Sequence, residues 1–198
     1  MDSGISREQR PYRVIMRWDA LFADLEAQLD AADDDLVAMH AERVRAEVAS
    51  VELRDRLRAG LGQRVALRLA GGGPVDGALR AAGPDWLLVE EVAGEALVPL
   101  AAVVLIDGLT RSLAAPAGAV EGRLGLASAL RGVARDRSAV RVALRDQGGG
   151  VLTGTVDRVG ADHLDLARHA VDEPRRPGVV RGVVTVPLAA LACVRRSA

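Results

Sequence analysis

Lysine and asparagine are both missing from the 198 residues, so all 26 basic side chains are arginine. Aromatics are scarce: Tyr12, Trp18, Phe22 and Trp86 are the whole set. One cysteine, Cys193, excludes an internal disulfide and a CxxC metal pair. The longest apolar run, Ala96 to Ile106, spans 11 residues with Pro99 inside it. That is too short to cross a bilayer. The N-terminus has no apolar signal-peptide core. These absences leave the expectation of a soluble, cytoplasmic protein with no membrane segment. What is abundant is Ala (35), Arg (26) and Gly (21), all with GC-rich codons, as in a high-GC bacterial genome.

The net charge of −1 conceals a gradient. Residues 1–60 carry 9 Arg against 13 acids, residues 61–109 carry 3 against 6, and residues 110–198 carry 14 against 8. The chain is therefore acidic in its first half and basic in its second. Such a split fits mutual neutralisation within or between chains, or an anionic partner for the basic half.

Residues 1–16 are polar and unpatterned and read as a disordered tail or an over-called start, with Met16 as the natural initiator. From Trp18 to Arg58 there is neither Gly nor Pro, and helix formers dominate. Trp18, Phe22, Leu25, Leu29, Ala32, Leu36 and Met39 recur at 4-3-4-3 spacing, the stripe of an amphipathic helix over 17–60. The stripe drifts near Asp33-Asp34-Asp35, which predicts a bend or break there with an aspartate capping the second segment. Between Asp19 and Glu42 lie eight acids and no arginine, an arrangement suited to antiparallel helix pairing.

The chain also repeats itself. At an offset of 77, Val65-Ala66-Leu67-Arg68 falls on Val142-Ala143-Leu144-Arg145, and Gly71-Gly72-Gly73 on Gly148-Gly149-Gly150. Gly77, Gly83 and Asp85 fall on Gly154, Gly160 and Asp162, and in all 11 of 25 positions from Val65 to Val89 are identical. The helical lead-in matches too, with Leu53, Arg54 and Arg58 on Leu130, Arg131 and Arg135. After an 11-residue insertion, Val98-Pro99-Leu100-Ala101-Ala102 falls on Val186-Pro187-Leu188-Ala189-Ala190 at an offset of 88. Each copy reads as a helix followed by five short strands. Val65, Leu67, Leu69 and Val140, Val142, Leu144 alternate as half-buried strands do. The triple glycines mark turns, and Gly77 and Gly154 mark a bulge or bend in the second strand.

This pattern resembles the Sm-like family, in which a helix precedes five bent strands with a glycine in the second. The stretch Gly154-Thr155-Val156 through Asp162-His163-Leu164-Asp165-Leu166 is similar to the first Sm motif, while Pro187-Leu188-Ala189-Ala190 replaces the Arg-Gly of the second. The chain also resembles proteins of high-GC bacteria sometimes labelled Fis-type transcription regulators. The resemblance implies an α+β fold in which a long N-terminal amphipathic helix (17–60) precedes two Sm-like five-stranded β-barrels. The first barrel covers 61–109. A linker at 110–122 and a short basic helix at 123–137 lead to the second at 138–196.

No catalytic constellation emerges, and neither a cofactor nor a metal is expected. Cys193 sits on the last predicted strand and reads as a core residue. His163, Asp165 and His169 lie on one strand, but the two histidines would be roughly 20 Å apart if it were extended. The triple glycines lack the Lys-Ser/Thr of a phosphate loop. Two interaction surfaces remain. Arg131, Arg135, Arg141, Arg145, Arg175, Arg176 and Arg181, with His163 as a stacking ring, form a candidate nucleic-acid surface. Trp18, Phe22, Leu25, Leu29, Trp86 and Leu88 form a candidate protein interface. Trp86 and Leu88 stand where the second copy has His163 and Asp165, so the first copy has an apolar face that something must cover. The expected function is a non-enzymatic assembly or adaptor protein that binds a protein partner or itself. The alternative is a nucleic-acid-binding regulator.

Overall fold

The computed structural model describes residues 15–110, 112, 124–146, 148, 150–170, 178 and 180–197. Two units are distinguishable, one ending at Ser50 and one beginning at Val51. The first is helix α1 (Ile15–Ala49), which runs without interruption. The bend expected at Asp33-Asp34-Asp35 does not occur. Ala, Leu, Glu and Arg on both sides carry the backbone ladder through them, and three aspartates are too weak a helix breaker to stop it. The helical stretch does break, but later, at Ser50-Val51-Glu52. There the Ser50 hydroxyl donates to the Glu47 carbonyl at 2.7 Å, a local bond that competes with helix continuation. The segment predicted as one helix over 17–60 is therefore two helices belonging to different units.

The second unit opens with α2 (Leu53–Ala59). It continues with β1 (Arg64–Leu69), β2 (Val75–Ala82), β3 (Trp86–Glu91), β4 (Gly94–Pro99) and β5 (Val103–Asp107). Helix α3 (Leu126–Asp136) leads to β6 (Ala139–Leu144), β7 (Val151–Val159), β8 (His163–Arg168), β9 (Val183–Pro187) and β10 (Leu191–Ser197). All ten strands join one antiparallel sheet in the order β5-β1-β2-β3-β4-β10-β6-β7-β8-β9. The fold is thus mixed α+β. Each half contributes five strands in the same relative order, and the halves meet where β4 pairs with β10.

The strand ladder corrects the alignment read from identities. Val65 pairs with Gly77, whereas Gly154 pairs with Val140 and not Val142. β6 therefore corresponds to β1 at an offset of 75, while β7 and β8 keep 77 and β9 and β10 keep 88. With those offsets the halves repeat in detail. Bulges fall between Leu79 and Ala81 and between Val156 and Arg158, and again between Arg68 and Leu69 and between Leu191 and Cys193. The amides of Leu100 and Leu188 donate to the carbonyls of Asp85 and Asp162, and those of Ala70 and Arg145 to Ala102 and Ala190. The Val-Ala-Leu-Arg identity is misleading because the β6–β7 hairpin is two residues longer. The helices depart further: Leu130 is fully buried while Leu53, its partner at 77, is 46% exposed, and Leu57 fills the buried position.

Gly77 and Gly154 do not form the bulges. A Cβ on either would collide with the carbonyl oxygen of the neighbouring strand, at Glu90 and Ala167 respectively. They are needed because the backbones cross closely there. The cores interlock across the junction. Ala143, Ala192 and Cys193 of the second half join the buried cluster around Leu67, Leu79 and Leu87. Leu97 of the first half joins the cluster around Leu130, Leu164 and Leu166. The β1–β2 turn lies on that junction. Gly71 and Gly72 take φ of +84° and +75°, and a Cβ on Gly72 would stand 3.0 Å from those of Ala143 and Ala192.

Candidate functional site

Helix α3 packs across β7, and its outer face presents arginine. Arg131 and Arg135 lie one turn apart, and the helix ends at Arg137 in the left-handed conformation with φ +53°. That conformation is uncommon for a residue with a Cβ and turns the chain so that Arg137 lies beside its predecessors. Arg158 arrives from β7. The bulge between Val156 and Arg158 breaks the two-residue alternation there, moving Arg158 off the face that strict counting would assign. Together with Trp86, Leu124, Ala129 and Val159, the four arginines line a cleft of about 880 Å³. Asp157 is the one carboxylate in that lining. Such a volume lies within the range of small-ligand sites, about 300–1,000 Å³.

The cleft is held from two sides. Trp86 Nε1 donates to the Leu124 carbonyl at 2.7 Å, which fixes the indole edge and leaves its ring as a wall. The Asp85 carboxylate accepts from the Leu126 amide at 2.8 Å, satisfying one of the unpaired donors at the start of α3. Arg131 donates to the Gly160 carbonyl at 3.2 Å. Among the described residues, Arg135, Arg137 and Arg158 form no ion pair, so their charge faces solvent. Arg137 and Arg158 also border a second, polar cleft of about 530 Å³ with Thr155 and Asp165.

Of the described arginines singled out by sequence, only Arg131 and Arg135 reach this cleft. Arg141 lies on β6 opposite Arg195 and Thr153, between two strands. Arg145 donates to the Ala189 carbonyl at 3.2 Å. Arg181 is exposed, and its amide bonds the Arg168 carbonyl. Arg175 and Arg176 lie outside the described residues. Arg137 and Arg158 went unseen in the sequence; one depends on a left-handed helix end and the other on a bulge, and neither has a local pattern.

His163 packs its ring over Gly160, with Nδ1 2.8 Å from the Asp162 carboxylate. The hydrogen bond and then the charge of His163 hold the Asp162 carboxyl below its ordinary value of 3.8. His169 is buried. Its Nδ1 donates to the Ala170 carbonyl at 2.7 Å, and its Nε2 lies 2.8 Å from the Thr155 hydroxyl, so both ring nitrogens are spent. No cluster of three or more metal-ligating side chains occurs among the described residues. Burial pushes the Cys193 thiol up to about 12, which keeps it protonated and unreactive.

Trp86 and Leu88 are half-buried within the chain. They pack against the second core cluster beside Leu97, Ala129 and Val133. On α1 the outcome is the reverse. Phe22 is 58% exposed, Leu25 45% and Leu29 66%, and Leu36 and Met39 are also exposed. The Trp18 side chain lies outside the described set. No helix among the described residues is long and apolar enough to cross a membrane. Comparison with family models, with curated proteins and with solved structures finds no match for this chain.

Proposed function

We propose that this chain is a non-enzymatic, cytoplasmic assembly protein built on two tandem Sm-like five-stranded barrels. The observation that supports this reading is the apolar surface of α1. Over its 35 residues, Leu21, Phe22, Leu25, Leu29, Leu36, Val37, Met39, Val44 and Val48 are all exposed. An apolar helix surface of that length is a binding surface, because leaving it in water costs roughly 25 cal/mol per Å². Its occupant is α1 of a second copy in antiparallel orientation, where the acidic stretch of one helix meets Arg43 and Arg45 of the other. The test is the molar mass of the full chain by light scattering. Leu25→Glu with Leu29→Glu should lower it, and a mass unchanged by the pair of substitutions would overturn the reading.

A second reading rests on the arginine cleft: a regulator that binds nucleic acid. Four guanidiniums around one opening neutralise phosphates in a salt-dependent way, and Trp86 supplies an aromatic wall. Binding of mixed single-stranded RNA and DNA to the full chain at two salt concentrations tests it. Arg135→Glu with Arg158→Glu should abolish binding, and binding that survives both substitutions or ignores salt would exclude the cleft.

A further inference from the structure

Among the described residues, the ten-stranded sheet has two open edges. At one end β5 pairs only with β1, and at the other β9 pairs only with β8. Their unpaired amides and carbonyls form a template for strand addition. These edges are also the two halves of a contact the chain already makes once. β5 is the fifth strand of the first half and β9 the fourth strand of the second. Inside the chain, β10 (the other fifth strand) pairs with β4 (the other fourth strand).

We propose that β5 of one copy adds to β9 of another, repeating between chains the junction that β10 and β4 form within one. The proposal rests on the assembly reading and names its partner as a second copy of the chain. The internal junction supplies the register. It pairs Val194 with Leu97 and Arg195 with Ala96. The corresponding residues are Ile106 with Thr185 and Asp107 with Val184. The edges carry apolar side chains that such a contact covers. Val104 and Leu105 on β5 are 57% and 47% exposed and Val183 on β9 is 57% exposed, while Ala192 and Cys193, which occupy the places of Val104 and Leu105, are fully buried in the junction.

Charge gives the contact its direction. In the junction, Arg195 Nε stands 2.8 Å from Glu91 Oε2, and the two side chains are 28% and 20% exposed. By the ladder, Asp107 occupies the place of Arg195, and Arg168 that of Glu91. The pair is present with its signs inverted. Both are exposed, and among the described residues neither forms an ion pair. Addition of β5 to β9 brings Asp107 to Arg168, a matched pair. The wrong pairings are penalised: β5 in the place of β10 would set Asp107 against Glu91, and β10 on β9 would set Arg195 against Arg168. Like charges in such positions discriminate between partners. The inversion thus sends each fifth strand to its own fourth-strand edge and guards against exchange of halves between chains. The contact is heterologous, so copies add head to tail until a ring closes or a filament grows. Arg68 stands where the junction has Ala143, so the contact between chains is looser than the one within them.

The experiment is sedimentation equilibrium on the full chain, with the fold of each variant checked by circular dichroism. It uses Asp107→Arg, Arg168→Glu, and the two combined, all in the Leu25→Glu/Leu29→Glu background that removes the helix contact. Each single change should weaken self-association by about tenfold or more, and the combination should restore most of it, because every contact then contains the reversed pair. Singles without effect, a combination no better than the singles, or a background chain that stays at single-copy mass would each overturn the strand contact. The last of these would leave the helix reading standing. Continued assembly of the background chain, with the same mass as the unaltered protein, would sink the helix reading and leave the strand contact intact.

Discussion

The two halves of the sheet share a ladder and differ in what they present beyond it. In the first half, Trp86 and Leu88 begin the third strand and pack, half-buried, against the core cluster of the second half. At the same places the second half has the polar His163 and Asp165, also half-buried, with Asp165 accepting from the Thr185 hydroxyl at 2.7 Å. The first half therefore uses that face for apolar packing, and the second for polar contacts. A shared backbone thus carries apolar side chains at those places in one half and polar ones in the other. The edges differ as well, where Arg195 and Glu91 are consumed inside the junction while Asp107 and Arg168 are left outside it.

The largest expected effect separates the two alignments of the halves. Leu130→Ala, at a fully buried site, should cost about 2–5 kcal/mol of unfolding free energy in urea. Leu57→Ala should cost a similar amount. Leu53→Ala, at the site that sequence identity pairs with Leu130, should cost well under ~1 kcal/mol. Equal losses at Leu53 and Leu130 would restore the alignment at 77.

Next come Gly77→Ala and Gly154→Ala, each driving a Cβ into the carbonyl of the next strand. Each should lower stability by about 1–3 kcal/mol, by the same amount in both halves. A loss confined to one half would show that the close crossing is not a shared requirement. Third, Arg195→Met removes the ion pair to Glu91 and the bonds to the carbonyls of Gly72 and Pro74, at 3.1 and 2.8 Å. A loss of about 1.5–3 kcal/mol is expected from charged hydrogen bonds of this kind. The mirror-image change at the open edge, Asp107→Met, removes only the bond from the Gly108 amide and should cost about 1 kcal/mol or less. Comparable losses at both sites would mean that Asp107 does more within its own chain than accept from the Gly108 amide.

The smallest effect concerns pH. Because the folded Asp162 carboxyl is held below 3.8 by His163, its contribution is present above that value and is lost as pH falls through the lowered folded pKa. Asp162→Asn should therefore reduce stability slightly at pH 6, and the difference should shrink as pH falls below 3.8. A difference that does not change as pH falls through the acid range would separate the effect from ionisation.

Much of the second unit was legible in its residues. Paired glycines, the recurring Val-Pro-Leu-Ala-Ala and the period-two alternation located ten strands and their turns, because each of those signals is local. The helix before them was legible in type but not in its limits. Ser50 is an ordinary helix-surface residue until its hydroxyl turns back onto Glu47. The cleft was half legible: Arg131 and Arg135 follow from helical spacing, whereas Arg137 and Arg158 are placed by a left-handed residue and a bulge.

The residue pattern alone was enough to specify the strand faces, the single buried thiol and the opposition of an acidic first half to a basic second half. It was not enough to choose between offsets of 75 and 77 for β6, because a shift of two residues returns every side chain to the same face. Hydrogen bonding between distant strands makes that choice, since Val140 and not Val142 meets Gly154. The pairing of β4 with β10 is likewise a long-range event. It joins the two halves into one sheet, buries Cys193 at their seam, and leaves β5 and β9 as the edges where, among the described residues, Asp107 and Arg168 form no ion pair.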